Sequence, residues 1–230
     1  MENKLRVVFA TNNENKMKEI RHILQDLDVD VLSMSEVGID MDIVEDGNTY
    51  EENSRIKVFA LRDELRRRKD ITPTIIVADD SGIEIDALDG EPGIFSARFL
   101  GKEATYLERN KFILDKLGNL PDDLRECHYT CCMTLLYPYS NAIVQKKRYW
   151  YGTITKEMRG TGGFAYDCIM VPNVLNPEKL TIAEMGDEYK NSISHRAKAL
   201  NSIRKVIEKY LEQQKRIEKH MEKCKEEIQS

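Results

Sequence analysis

The sequence predicts an α/β fold with a mixed β-sheet, on three observations. Apolar runs of strand length alternate with segments of helical period from Leu5 to Val77. Two further strand-like runs, Tyr129 to Tyr137 and Ile143 to Ile154, are joined through Pro138 to Asn141 as a hairpin, which adds antiparallel pairing. With 230 residues, 41% of them hydrophobic, the chain can bury one sizeable core.

Leu5 to Ala10 reads as a buried strand. Thr11-Asn12-Asn13-Glu14-Asn15-Lys16 is a polar loop into a helix on which Met17, Ile20, Ile23 and Leu24 recur at helical spacing. Val29 to Leu32 is a second strand. Thr49 and Glu52 have the form of a capping box, and Ile56, Val58, Phe59, Leu61 and Leu65 give the helix that follows its apolar side. Arg66 to Lys69 place cations at its C-terminal end, where the helix dipole favours them. Ile75 to Ala78 form a third, buried strand, and Ile83, Ile85 and Ala87 alternate with Glu84 and Asp86 as in a half-exposed one. Gly90 to Gly93 is a turn, Thr105 to Leu117 a helix, and Gly160 to Gly163 a loop leading to a strand that ends near Val171. From Ser192 a single helix runs to the C-terminus. Along it Ile203, Ile207, Tyr210, Ile217, Met221, Cys224 and Ile228 keep a 4-3 spacing, broken by Gln214. Its first half is expected in the core and its Lys- and Glu-rich second half in solvent.

Composition narrows the function classes. A net charge of −5 supplies no basic field for nucleic acid. No apolar run approaches the roughly 18 residues that span a membrane, and Leu5 to Ala10 is too short for a secretory core, so a cytoplasmic protein is expected. Five cysteines without a C-x-x-C pair fit free thiols in a reducing compartment better than zinc or disulfides.

Chemistry concentrates where the third strand runs into Asp79-Asp80-Ser81-Gly82. A buried carboxylate is costly unless it is paired or bound to a cation. Two at the mouth of a strand therefore point to a metal site or acid/base chemistry, with an Asp-rich turn as the plain alternative. The helix that starts after the Thr11 loop presents N–H groups and a positive dipole end, with Lys16 in its first turn. That is an anion site or an ordinary N-cap. No Gly-rich Walker pattern occurs.

Five motifs stand in a fixed order: Thr11-x-Asn13-x-x-Lys16, Ala78-Asp79-Asp80-Ser81-Gly82, Pro92-Gly93-Ile94-Phe95-Ser96-Ala97-Arg98, Gly162-Gly163-Phe164-Ala165-Tyr166-Asp167 and Ser194-His195-Arg196. With them the chain resembles the inosine/xanthosine triphosphate pyrophosphatase family from about Leu5 to Lys205. The resemblance implies an elongated mixed β-sheet with flanking helices and two lobes around a central cleft. It implies hydrolysis of ITP, dITP and XTP to monophosphate and diphosphate with Mg²⁺, by a homodimer. It makes Thr11, Asn12, Asn13, Glu14, Asn15 and Lys16 the triphosphate cradle, and Asp80 the catalytic acid/base residue. Glu45 and Asp80 become metal ligands, with Asp79 a weaker candidate. Ser81, Phe164, Ala165, Tyr166, Asp167, Lys190, His195 and Arg196 become nucleotide contacts, and Lys57 a further one.

The residue chemistry agrees with these roles. Attack of water on the α-phosphorus needs charge neutralisation, a positioned water and an anchored leaving group. Carboxylates suit hard Mg²⁺, Phe164 can stack on a purine, and Arg196, a donor only, favours a 6-keto purine over adenine. Two positions depart from the family pattern. Ala165 stands where a glycine is usual, and Cys168-Ile169-Met170 replaces Pro-Ile-Phe, which bears on purine selectivity more than on reaction type. The expected organisation is a catalytic domain over residues 1–212 and a helical extension over 213–230. The competing readings are a septum-inhibitor-like pyrophosphatase for modified nucleotides and a non-catalytic nucleotide sensor.

Overall fold

The computed structural model describes residues 4–229; the side chains of Asp187, Ile228 and Gln229 lie outside what is described, so the Ile228 position of the seam is not placed. The elements are β1 (Leu5–Phe9), α1 (Glu14–Leu24), β2 (Val29–Ser33), α2 (Tyr50–Arg67), β3 (Thr74–Ile85), α3 (Tyr106–Leu117), β4 (Glu126–Leu136), β5 (Ile143–Ile154), β6 (Met170–Pro172), α4 (Ile182–Met185), α5 (Asp187–Ile193) and α6 (His195–Gln229). One six-stranded sheet has the order β2-β1-β3-β4-β5-β6. β1 lies parallel to β2 and β3, and the remaining pairs are antiparallel, so the sheet is mixed as expected.

Asp79 and Asp80 are not at the mouth of a strand, and Ser81-Gly82 is not a turn. β3 runs unbroken through them to Ile85, paired throughout with β4 up to Ile85 opposite Cys127. What ends near Ala78 is the neighbour on the other side. β1 pairs with β3 only as far as Phe9 opposite Val77, and Ala10 N–H donates to the Val77 carbonyl at 2.8 Å. The switch from apolar to polar residues therefore marks the loss of one flanking strand.

Strand alternation sorts β3 into two faces. One face reads Ile75, Val77, then Asp79, Ser81, then Ile83, Ile85. The first pair joins a core formed with α1 and α6 (Met17, Ile20, Leu200, Ile203), and the last pair joins a second core with Trp150, Tyr166 and Met170. The polar pair between them is the floor of the cleft that separates the two lobes. The other face packs Ile76 and Ala78 against Val58, Leu61 and Leu65 of α2.

Gly82 is required by close packing. A Cβ there would stand 2.1 Å from the Gly93 carbonyl oxygen and 2.7 Å from Ser96 Oγ. Ser96 Oγ accepts from Ile83 N–H at 2.9 Å and donates to the Gly93 carbonyl at 2.6 Å, which fastens the Pro92 to Arg98 loop to the strand edge that β1 leaves open. The Thr49 cap holds as expected on one arm, accepting from Glu52 N–H, but the Glu52 carboxylate takes Asn48 N–H at 2.7 Å.

The single C-terminal helix expected from Ser192 is two helices. Extended backbone at Ser194 (ψ 162°) separates α5 from α6. α6 buries Ala199, Leu200, Ile203 and Ile207, and Tyr210 meets Tyr137 at 5.7 Å. Beyond Leu211 it is solvent-facing, with Ile217 and Met221 exposed and Gln214 and Cys224 partly so. Cys127, Cys131 and Cys132 are buried free thiols. Among the described residues no helix is long and apolar enough to cross a membrane.

Candidate active site

The cleft begins where β1 stops. Asn13 caps α1, its Oδ1 accepting from Asn15 N–H (3.0 Å) and Lys16 N–H (3.1 Å), and Thr11 Oγ1 accepts from Asn13 N–H at 3.2 Å. Two of the first-turn amides expected to face an anion are thus already satisfied by the cap. Asn12 holds the β2 end through Ser35 N–H at 2.9 Å. Glu14 and Asn15 point into solvent and do not line the cleft, whereas Thr11, Asn12, Asn13 and Lys16 do.

Asp80 faces α2. Asn53 Nδ2 donates to its carboxylate at 3.1 Å, and Lys57 Nζ stands 3.4 Å from it and 2.8 Å from the Glu45 carboxylate. Burial, opposed by Lys57 and reinforced by the charge of Glu45, lifts the Asp80 carboxyl to about 6. Burial works against the Lys57 ammonium, but Asp80 and Glu45 outweigh it and keep the amine firmly protonated. Glu45 reaches the site on the irregular segment before α2, where Arg98 of the docked loop donates to its carbonyl at 3.2 Å.

Asp79 faces the other way, toward α1 and α6. Its carboxylate meets Lys16 Nζ at 3.0 Å, Ser81 Oγ at 3.1 Å and Arg196 Nε at 3.4 Å. Burial would raise its pKa, yet Lys16 and then Arg196 hold it well below the usual carboxylate range. Arg196 also donates to Glu19 at 2.5 Å.

The far end is aromatic and charged. Lys190 Nζ meets the Asp167 carboxylate at 2.7 Å and stands 4.9 Å from the Phe164 ring centre. Burial raises the Asp167 carboxyl against the pull of Lys190. Phe164 N–H donates to the same carboxylate at 2.8 Å, which fixes the turn. His195 stacks on Tyr129 at 4.6 Å, with Trp150 at 6.3 Å. Burial first, then the nearby Arg196 and Lys190 charges, push its pKa well below the usual value, so the ring is neutral. Its Nδ1 is buried without a partner in the protein.

These groups surround one cavity of about 400 Å³, within the range of small-molecule sites. Of the residues named from sequence, Thr11, Asn12, Asn13, Lys16, Glu45, Lys57, Ser81, Phe164, Ala165, Tyr166, Asp167, Lys190, His195 and Arg196 line it. Asp80 meets it through its contact with Lys57. Contributors outside the sequence-predicted set include Glu19, Asn53 and Tyr129, and Asp42 and Tyr106 also line the cavity. Asn53 had a usable signal, since Asn53, Lys57, Leu61 and Leu65 form one buried i, i+4 stripe of α2 that turns polar at the cleft. Glu19 and Tyr129 had none, because a polar helix residue and a strand tyrosine are ordinary.

The Ham1 family model matches residues 7–206. The chain belongs to the Ham1 family. Similar curated proteins include the dITP/XTP pyrophosphatase of Clostridium perfringens, 40% identical over 198 residues (86% of this chain, 94% of that protein). That of Caldanaerobacter subterraneus is 37% identical over 91% of this chain and 99% of the relative. The solved HAM1 protein of Coxiella burnetii is similar at a TM-score of 0.78 and 33% identity, covering 89% of this chain and 99% of that one. The Ham1 protein of Staphylococcus aureus superposes with a TM-score of 0.76 at the same identity and coverage.

Two features of this Ham1-family site bear on the expectations above. Ala165 adopts φ 61°, a left-handed backbone that glycine takes without strain, which explains why glycine suits this place. Glu45 and Asp80 converge on one cation, the Lys57 ammonium, and both are hard oxygen donors, so the pair fits Mg²⁺. Among the described residues no group of three or more His, Cys, Asp or Glu is arranged for a metal. An ion held by two carboxylates, with phosphate and water oxygens completing its shell, is the arrangement Mg²⁺ favours.

Proposed function

We propose that this chain hydrolyses inosine, deoxyinosine and xanthosine triphosphates to the monophosphate and diphosphate, removing deaminated purines from the nucleotide pool. The observation that carries the reading is one continuous cleft around which charged groups gather. Lys57 with Glu45 and Asp80 forms one group, Phe164 with Lys190 and Asp167 another, and Lys16 and Arg196 meet at Asp79. Relatives at 34–40% identity carry the same activity in their names.

Glu45 and Asp80 would hold Mg²⁺, which supplies charge neutralisation at the phosphates. The Asp80 carboxylate takes the proton of the water that attacks the α-phosphorus. The bond from the α-phosphorus to the bridging oxygen breaks, and diphosphate leaves toward Lys16. Phe164, backed by Lys190, stacks on the purine. Arg196 donates to the 6-keto oxygen, and the unpartnered His195 Nδ1 gains a hydrogen bond from the bound nucleotide. Adenine presents a 6-amino donor to the Arg196 donor and is rejected. The family resemblance further supports a cytoplasmic homodimer that binds neither nucleic acid nor membrane.

Turnover of ITP in ¹⁸O-water with Mg²⁺ tests the chemistry. Label in the monophosphate, with unlabelled diphosphate, is expected. Label in diphosphate, or release of single phosphate, contradicts attack at the α-phosphorus.

A further inference from the structure

Asp79 and Asp80 are adjacent in sequence, yet alternation along β3 places their carboxylates on opposite faces of the sheet. Asp80 meets Asn53 and Lys57 of α2. Asp79 is 4% exposed and occupied by three donors: Lys16 Nζ at 3.0 Å, Ser81 Oγ at 3.1 Å and Arg196 Nε at 3.4 Å. Lys57 reaches Asp79 at its main-chain oxygen, at 2.9 Å. Lys16 comes to the cleft from α1 and Arg196 from α6. One buried carboxylate thus ties together two cations brought to the cleft by different helices. Glu19 holds Arg196 from the other side at 2.5 Å and comes within 3.8 Å of Lys190.

We infer that Asp79 is a positioning residue, setting Lys16 and Arg196 relative to one another, and that it is not a metal ligand. The inference rests on the reading of the cleft given above. A carboxylate with three donors has its lone pairs directed at them, away from an ion held by Glu45 and Asp80. Without its charge, Arg196 Nε loses its ionic partner, and the guanidinium keeps only the Glu19 carboxylate as an ion pair. Base discrimination then falls, while metal affinity stays.

The test compares nucleotides that share a phosphate chain, so that a general change in anion attraction cancels. Dissociation constants of inosine and adenosine monophosphates are measured on metal-free protein in EDTA. The reporter is the fluorescence of Trp150, the single tryptophan, whose ring lies 6.3 Å from His195. Half-saturating Mg²⁺ for diphosphate release from ITP is measured alongside, with Glu45→Gln as the reference for a lost ligand. In Asp79→Asn the preference for inosine over adenosine monophosphate should fall about ten-fold, the scale of one charge-assisted hydrogen bond. Half-saturating Mg²⁺ should stay within about two-fold of wild type, while Glu45→Gln raises it about ten-fold, as loss of a ligand or its support does. An unchanged preference, or a rise in half-saturating Mg²⁺ like that of Glu45→Gln, overturns the proposal. If Asp79→Asn shows no cooperative melt, Asp79→Glu replaces it, keeping the charge and displacing the carboxylate from Arg196 Nε by one methylene. The base preference should then fall about two- to three-fold, the low end for one weakened hydrogen bond, with half-saturating Mg²⁺ unchanged, and an unchanged preference overturns the proposal. Wild-type protein that releases no diphosphate from ITP contradicts the functional reading instead, and the metal-free binding ratios still decide the role of Asp79.

Discussion

Asp80 costs the metal-free protein stability. Its folded carboxyl sits at about 6, above the ordinary 3.8, so the folded state binds its proton more readily than the unfolded chain does. The associated stability is present below about pH 4 and is lost as pH rises through about 6. Metal-free Asp80→Asn should therefore be more stable than wild type at pH 8, by about 3 kcal/mol, with the difference shrinking toward pH 4. Urea unfolding at the two pH values checks this, and a variant less stable at pH 8 contradicts it. The same substitution should cut turnover more than about ten-fold, a loss above about 1.4 kcal/mol. Arg196→Ala should lower kcat/KM for ITP about ten- to hundred-fold and for ATP far less. Equal losses for both would mean that Arg196 serves phosphate or structure and does not read the base. His195 and Arg196 were legible only through the order of five motifs, since a His-Arg pair opening a helix is otherwise a plain capping or surface feature. Their partner Glu19 was not legible, because nothing local in α1 marks it as turned inward.

β3 shows why an element can be read correctly and bounded wrongly. The apolar run Ile75 to Ala78 marks the strand, but the end of the run is not the end of the strand. A strand continues wherever one neighbour remains, and β4 supplies that neighbour to Ile85. Polar residues enter where β1 has withdrawn and the edge opens to the cleft, an arrangement that depends on strands distant in sequence. The role of Gly82 is set in the same way by the loop around Gly93 and Ser96. Gly82→Ala should force that loop off the strand and destabilise the fold by about 2–3 kcal/mol, read as a fall in melting temperature. Ser96→Ala, which leaves Ile83 N–H buried without its acceptor, should cost about 1–3 kcal/mol. A Gly82→Ala protein with unchanged melting would contradict the close approach. α2 carries the complementary lesson, because its stripe was legible as apolar from Leu61 to Leu65 while its polar start at Asn53 and Lys57 acquires meaning only beside Asp80.

Across the whole molecule, two cores on one sheet face are separated by Asp79 and Ser81, so the cleft is a gap in the packing and not an added feature. The mixed sheet was legible because strand periods and a hairpin are local signals. The two lobes entered only through family resemblance, since the gap depends on which strand ends first. The family match stops at residue 206, near the last buried residue of α6, Ile207. Truncation after Glu212 should leave ITP hydrolysis within about two-fold of the full chain, because solvated helix residues contribute little to a distant site. Loss of activity in a truncated but cooperatively folded protein would place the extension in the working enzyme. The most direct single measurement is kcat/KM for diphosphate release from ITP and from ATP, at one saturating Mg²⁺ concentration and one pH. Rejection of a base that leaves a buried donor unpaired predicts a preference for ITP of at least about a hundred-fold. Equal rates on the two nucleotides would contradict selection of deaminated purines by this cleft.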